Sequence, residues 1–507
     1  ARKIGAALHA TGHYEEALEH FRRALLQLGW RYPTSPVRIR LATLKLFSAH
    51  LSRLVREWMR IPAKPRLDID SAQEASTICH AMAWVDYFLD KERMLFDCLL
   101  EMEVGETSNY SVAESMGLGS LGFGFMTYDM RRIARWYHQR AAPVARKTNN
   151  SSAMAFARFS LGFLDFYDGR WDDSEANLRA GATTYRDSGD IRRWGGAILM
   201  LSFITSRRGR LEETMDQAAD LARAGQDAAD PQLTSWGLQV RAYAELETGP
   251  LDEAIANMHR GVALARKIHA WDNFLYPSSL LCKALVYQGR IAEATDILEE
   301  ALGVMKATQL SRPFDQVELL TGSATVKLAI VEQSEGASRK HAVREARSAC
   351  RKALKCARVQ RYWLPQSLRL YGTVCWLSGK RKAARKHWKA SLDLAEDFGF
   401  PLERARTLME SGDRTGDADA LEKAAMLFEE FGAKVFLASA LHRLARIRQS
   451  KLLSADSAIR HFERALSELE AVNAEHDAKQ ARRELERLRN SARQNGKATV
   501  TPINGEQ

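Results

Sequence analysis

Few residues of this chain have both the type and the spacing for chemistry, and each of them competes with a packing role. Met116-Gly117-Leu118-Gly119-Ser120-Leu121-Gly122-Phe123-Gly124 contains GxGxxG. That pattern lets a backbone approach a pyrophosphate when it follows a strand and opens a helix. No strand alternation precedes it here, so close packing between helices explains the glycines. Gly372 to Lys380 has the outline of a phosphate loop, but six residues separate Gly372 from Gly379 and Arg381 takes the Ser/Thr position. A loop that wraps phosphate with backbone N–H groups needs four residues there and cannot stretch. The thirteen histidines form no HExxH, and His9 and His13 straddle a turn. No serine or cysteine stands beside a base that would make it a nucleophile. No catalytic, metal or cofactor site is therefore expected.

The acidic pairs Glu15-Glu16, Asp172-Asp173 and Glu212-Glu213 recur just after turns, where they complement the positive end of a following helix. The six cysteines (Cys79, Cys98, Cys282, Cys350, Cys356 and Cys375) are scattered and form no CxxC. They read as reduced packing thiols of a cytoplasmic protein.

One charged feature exceeds background. Ser338 to Ala390 carries sixteen Lys/Arg and one acid, Glu345, a net of +15. The whole chain is +11, so the remainder is net −4. Arg344, Arg347, Arg351, Lys355 and Arg358 fall on one helical face, with Ala346, Ala349, Cys350, Ala353 and Ala357 opposite. Lys382, Arg385, Lys386 and Lys389 repeat the pattern. These nine residues are the candidate surface for an anionic partner, set against the alternative of a solvated outer face. No aromatics are interleaved for base stacking, so specific nucleic-acid recognition is not expected.

The elements that hold these residues are helices in a fixed repeat. A turn with glycine, an aromatic or leucine and a small residue falls at Gly12, and later at Gly169, Gly209, Gly249 and Gly289, these last four each 40 residues apart. Asp129 and Asp90 continue the register backwards. Ala, Leu, Arg and Glu dominate the 507 residues and there are only 12 prolines, a composition that favours helix throughout. Gly5 and Ala17 would let two antiparallel helices approach, while Tyr14 and Phe21 fill the groove. The layout recurs with Gly162, Gly169, Trp171 and Leu178, and with Gly249, Leu251, Ala254, Met258 and Gly261. Two further copies are Gly289, Ile291, Ala294, Leu298 and Ala301, and Gly372, Gly379, Ala384 and Trp388. No single hairpin buries its apolar face alone, so such units stack into an array.

These residues resemble the tetratricopeptide repeat, whose usual period of about 34 is shorter. The resemblance implies an all-α solenoid, a right-handed superhelix of about twelve hairpins. Six segments are expected: a first hairpin over 1–36, irregular repeats over 37–145, regular repeats over 146–310, basic repeats over 311–400, closing repeats over 401–490, and a disordered tail over 491–507. Val37 to Ile61 reads as one long helix ending at Pro62-Ala63-Lys64-Pro65. A polar loop is expected around Gln333 to Lys340, and a turn over Ser411 to Asp417. The longest apolar run, Trp194 to Ile204, is too short to span a bilayer.

A larger arrangement is also similar. Leu8-His9-Ala10-Thr11-Gly12-His13-Tyr14-Glu15-Glu16-Ala17-Leu18-Glu19-His20-Phe21-Arg22-Arg23-Ala24-Leu25, the long helix after Pro36, and the turns at Tyr87-Phe88-Leu89-Asp90 and Tyr128-Asp129 look like the repeat region of large bacterial signalling ATPases. In those proteins an ATPase module precedes the repeats, often with a nucleotide cyclase or kinase domain before it. The resemblance implies a non-catalytic interaction region that binds a protein partner or the adjoining ATPase module. The alternative is the effector-sensing region of an ATPase-type transcriptional activator. Ala1 falls inside the first helix of this register, so the chain reads as cut from something longer.

Overall fold

The computed structural model describes residues 1–61, 67–108, 110–249, 251–308, 313–450, 455–472 and 475–498. Over them the chain is helix after helix, and the one strand-like feature is an isolated bridge between Leu67 and Ser108. The first hairpin is α1 (Arg2–Ala10) with α2 (Tyr14–Gln27), followed by α3 (Pro36–Trp58). The next pairs are α4 (Ile69–Leu89) with α5 (Lys91–Thr107), α6 (Ser111–Thr127) with α7 (Arg131–Thr148), and α8 (Ser151–Asp168) with α9 (Trp171–Asp187). Then come α10 (Ile191–Arg207) with α11 (Leu211–Asp227), α12 (Pro231–Thr248) with α13 (Leu251–Lys267), and α14 (Trp271–Tyr287) with α15 (Ile291–Ala307). The last are α16 (Pro313–Gln333) with α17 (Gly336–Ala357), α18 (Leu364–Leu377) with α19 (Arg381–Asp397), α20 (Pro401–Thr415) with α21 (Ala418–Glu430), and α22 (Lys434–Ser450) with α23 (Ala455–Ala471). A single helix, α24 (Glu475–Ala498), closes the chain. Among the described residues eleven hairpins result, with α3 and α24 outside the pairing, where the sequence suggested about twelve.

The turns form for the reason their residues imply. Gly12, Gly169, Gly209, Gly249 and Gly289 all have φ between +75° and +84°. At Gly169 the left-handed residue lets Arg170 N donate to Asp165 O at 2.9 Å, closing the carbonyls of α8. Asp129 does the same without glycine, at φ +59°. Asp90 keeps the register by another device: it is extended, and its carboxylate accepts from the N–H groups of Glu92 and Arg93 as the cap of α5. The acidic pairs lie in the first turns of α2, α9 and α11.

The small residues sit where helices touch. A Cβ on Gly5 would come within 2.8 Å of the Phe21 ring, and one on Gly372 within 2.5 Å of Trp388. The GxGxxG segment lies mid-α6. A Cβ there would meet Met102 Cα at 2.7 Å from Gly117, Phe156 at 2.6 Å from Gly119 and His138 at 2.5 Å from Gly122. These glycines hold helices together and leave no room for a nucleotide.

Three expectations change. The polar loop near Gln333 shrinks to Ser334-Glu335, because α17 already begins at Gly336. Its first residues are polar but carry no breaker other than a terminal glycine. Ser411 to Thr415 belongs to α20, and the turn is only Gly416-Asp417, with Gly416 at φ +71°. Helix also continues from 491 to Ala498, where the tail was expected to begin. Residues 499–507 and the Pro62–Pro65 stop lie outside the described residues.

The chain divides into two compact units. Unit 1 comprises Ala1–Ile204, Gln217–Gly237 and Ala263–Phe274, and unit 2 comprises Thr205–Asp216, Leu238–Val262 and Leu275–Gln507. In unit 1 the first hairpin meets much later turns. Arg192 donates to His9 O at 2.9 Å and Ala10 O at 3.2 Å, and pairs with Asp230 at 2.6 Å. A half-buried guanidinium thus caps the orphan carbonyls at the end of α1. The cysteines are free: Cys79, Cys98, Cys282, Cys350 and Cys375 are buried and Cys356 half-buried. Burial pushes the Cys282 thiol up to about 12, which suits an inert packing thiol.

Candidate functional site

The first helices of successive hairpins in unit 2 bring charged side chains together in its interior. Glu403 on α20 accepts from Arg369 Nε of α18 at 2.7 Å, and lies 3.5 Å from Arg207 of α10 and 3.7 Å from Arg406. Arg406 also pairs with Glu247 of α12 and lies over the Phe436 ring at 4.3 Å. Glu318 on α16 binds Lys283 of α14 and accepts from the Trp363 indole N–H. Arg207 donates to Gln366 Oε1 at 2.8 Å and stacks over Tyr362 at 4.9 Å.

Burial would raise the Glu403 and Glu318 carboxyls. The guanidiniums around Glu403, and Lys283 with Arg207 around Glu318, outweigh it and hold both below the usual range. Burial pulls Lys283 down against the opposing pull of Glu318. Each charge is answered by an opposite one, which is the condition for burying charge at all. A void of about 30 Å³ beside the network has room for one water.

A groove of about 340 Å³ opens against this network. Tyr287, Leu328, Met409 and Phe436 give it an apolar lining, and Glu332, Arg414 and Arg443 a charged one. Glu410 organises the charged side. It accepts from Arg414 Nε at 3.0 Å and Thr373 Oγ1 at 3.0 Å, with Arg443 at 3.9 Å. Burial raises its carboxyl, but Arg414 and Arg443 prevail and hold it at about 2. Apolar surface bordered by ordered charges suits recognition of another chain.

Unit 1 has its own concave features. The turn Thr11 to Glu16 borders a wide groove of about 1020 Å³ together with Gly225, Pro231, Ile268 and Trp271. Tyr14 donates to Gln232 at 3.2 Å beside it. A smaller cavity, about 300 Å³, is lined by His9, Trp84, Arg192 and Arg193 among alanines. His9 Nε2 and Trp84 Nε1 are buried without a hydrogen-bond partner among the described residues. Burial, then Arg192 and Arg193, keep His9 well below its ordinary pKa and therefore neutral at pH 7.

Paired carboxylates do occur, though not after the turns. Asp86 and Asp97 are fully buried in unit 1. Asp86 is held by Arg93 at 2.7 Å, and Asp97 accepts from Tyr32 at 2.8 Å. Burial raises both, Asp86 to about 6. These two escape sequence reading because their partners lie in other elements: Arg93 of α5 for Asp86, and Tyr32 between α2 and α3 for Asp97.

The basic residues stand where the pattern put them. Arg344, Arg351 and Lys355 on α17, Arg358 at its C-cap, and Lys382, Arg385, Lys386 and Lys389 on α19 are exposed, and Arg347 is half-buried. Ala346, Ala349, Cys350, Ala353 and Ala357 are buried beneath them. The five α17 cations have no ion pair among the described residues, and Glu345 is taken by Lys327 at 3.0 Å. Arg358 and Lys386 both add to burial in lowering His387, so the two basic faces meet there.

No family model matches the sequence, and no curated protein matches it. Solved structures do. A Rap protein complexed with competence and sporulation factor aligns with a TM-score of 0.52 at 10% identity, over 74% of this chain and 100% of that one. The fold is a tetratricopeptide-type solenoid. Aspartyl phosphate phosphatase F from Bacillus subtilis aligns at 0.44 and 11% identity, over 72% of this chain and 96% of that one. A Signal Transduction ATPase with Numerous Domains, with a tetratricopeptide repeat sensor, from Pyrococcus horikoshii gives 0.37 and 12%, over 84% and 74%. Among the described residues no helix is long and apolar enough to cross a membrane, and no cluster of His, Cys, Asp and Glu could hold a metal ion.

Proposed function

We propose that this chain is a non-catalytic interaction and regulatory region of a multidomain bacterial signalling ATPase or nucleotide cyclase, in which the unit 2 groove receives a segment of a partner or of the adjoining ATPase module. The observation that supports it most is the groove itself, with one helix from each of several successive hairpins contributing to an apolar surface edged by Glu332, Arg414 and Arg443. Thr325 and Ser439 are small lining residues. Selection of 12-residue peptides displayed on phage should yield a binder whose affinity drops at least tenfold in Thr325→Trp/Ser439→Trp, with helicity unchanged. Binders indifferent to that block, or no binders, would remove the groove from the account.

The second reading, effector sensing in an ATPase-type transcriptional activator, draws support from the 300 Å³ cavity of unit 1, a size suited to a small molecule. Any coding sequence continuous with this chain separates the two: a P-loop plus cyclase motifs favours the first, and a helix-turn-helix at either end the second.

The basic faces of α17 and α19 form a second contact surface in this proposal, for an anionic partner. Five cations along one face of α17 and its C-cap, with Glu345 the single acid nearby and bound by Lys327, concentrate positive potential. Retention on heparin should fall steeply with salt, and Arg344→Glu/Arg351→Glu/Lys355→Glu should elute at clearly lower salt. Equal elution of the two proteins, both folded, would leave α17 as a solvated face.

A further inference from the structure

Helix α3 is apolar on two opposite sides, and only one of them is used. Its inner side carries Ile39, Ala42, Leu46, Phe47, His50 and Leu54, all buried or half-buried. His50 bridges Glu106 at 2.6 Å and Tyr137 at 2.7 Å, and Arg53 binds Glu103 and Glu106. These contacts fix α3 against α5 and α7 and set which side faces out.

The outer side presents Val37, Leu41, Leu44, Leu51, Val55 and Trp58, between 44% and 84% exposed. With Ser48, their steps alternate between four and three residues across the whole helix, the a/d spacing of a coiled-coil seam. At 1.5 Å per residue the stripe runs for about 30 Å. Leucine, valine and tryptophan in open solvent over that length mark a surface that another element covers.

Charge selects among the possible occupants. Arg38, Lys45 and Arg56 line one flank of the seam, exposed and without ion pairs among the described residues. The one acid of α3, Glu57, is bound to Arg140 at 2.7 Å. A second copy would therefore bring cations to cations with no free acid on the helix to answer them. A bilayer surface suits a broad apolar face, whereas this stripe is one a/d seam wide and contains Ser48. We propose that the outer seam of α3 docks an acidic amphipathic helix of a partner protein, with apolar residues at a and d and Asp or Glu along the flank that meets Arg38, Lys45 and Arg56. This surface is separate from the unit 2 groove and stands whether or not that groove binds a peptide.

The probe is a labelled synthetic 21-residue helix with Leu at every a and d position and Glu at e and g, whose repulsion keeps it from pairing with itself. Fluorescence anisotropy with the full chain should show saturable binding. Leu44→Asp/Leu51→Asp should weaken it at least tenfold, with circular dichroism and thermal midpoint unchanged because both side chains are exposed. The same peptide with Lys for Glu should bind at least tenfold more weakly. Failure of the Glu peptide to bind, or equal binding by the variant, overturns the proposal. So does a seam-dependent self-association, or seam-dependent binding to phosphatidylserine vesicles, in place of peptide binding.

Discussion

Glu403→Gln should lower the stability of the chain by about 3–5 kcal/mol, the usual cost of removing one partner from a buried ion pair. The Glu403 carboxylate is 1% exposed and lies within 3.7 Å of Arg369, Arg207 and Arg406. A neutral amide keeps the shape but leaves two buried guanidiniums, Arg207 and Arg406, and the half-buried Arg369 short of one negative charge. Arg369 has no other ion pair to fall back on among the described residues, whereas Arg406 retains Glu247. The midpoint of urea unfolding, followed by circular dichroism, measures the loss. Glu396→Gln is the control: Glu396 meets Arg404 at 3.7 Å on the surface and should change stability by less than about 0.5 kcal/mol. If both substitutions give the same small change, the interior network contributes nothing beyond a surface pair.

Acid should destabilise unit 2 through Glu410. Its carboxyl is held at about 2 in the folded chain against an ordinary 4.5. A folded pKa below the unfolded one stabilises the fold at pH values above 4.5, and that contribution disappears as pH falls through 2. The gap corresponds to about 3 kcal/mol. Glu410→Gln should therefore lower stability at pH 7 by roughly that amount, and the difference between the two proteins should vanish by pH 2. Asp86 in unit 1 works in the opposite direction. Burial raises it to about 6 against the pull of Arg93, so its stabilising, protonated form is lost as pH rises through 6. Comparing Glu410→Gln with the parent at each pH cancels the Asp86 contribution. A difference that stays constant from pH 7 to 2 would show that Glu410 does not titrate as its surroundings require.

The local part of this architecture was written in the sequence. A glycine every 40 residues dictates left-handed turns, because only a residue without Cβ enters that conformation cheaply. Small residues at Gly5, Gly162 and Gly372 dictate where helices touch, and the alternation of cations with alanines on α17 dictates which side faces water. All of these are relations between residues a few positions apart, and they follow from the helical period. The same reasoning missed the α3 seam although its spacing is equally periodic, because a stripe of Leu and Val reads as core until another helix is seen to occupy the opposite side.

Tertiary structure alone decided the interior of unit 2. Arg207, Glu247, Lys283, Glu318, Arg369 and Glu403 lie on six different helices, and their sequence neighbours range from apolar, around Lys283 and Arg369, to charged, with Arg208 beside Arg207 and Arg404 beside Glu403. Nothing local distinguishes such a charge from a surface residue. Its partner is supplied by helices tens to hundreds of residues away, as with Arg406 and Glu247. The same holds for Arg192, which caps the end of α1 from a position far down the chain. The sequence by itself determined the repeat and the outward faces, since both depend on neighbours along one helix. The stacking of the hairpins determined which charges are buried together and where the groove opens, since Coulomb attraction acts across space and is blind to position in the chain.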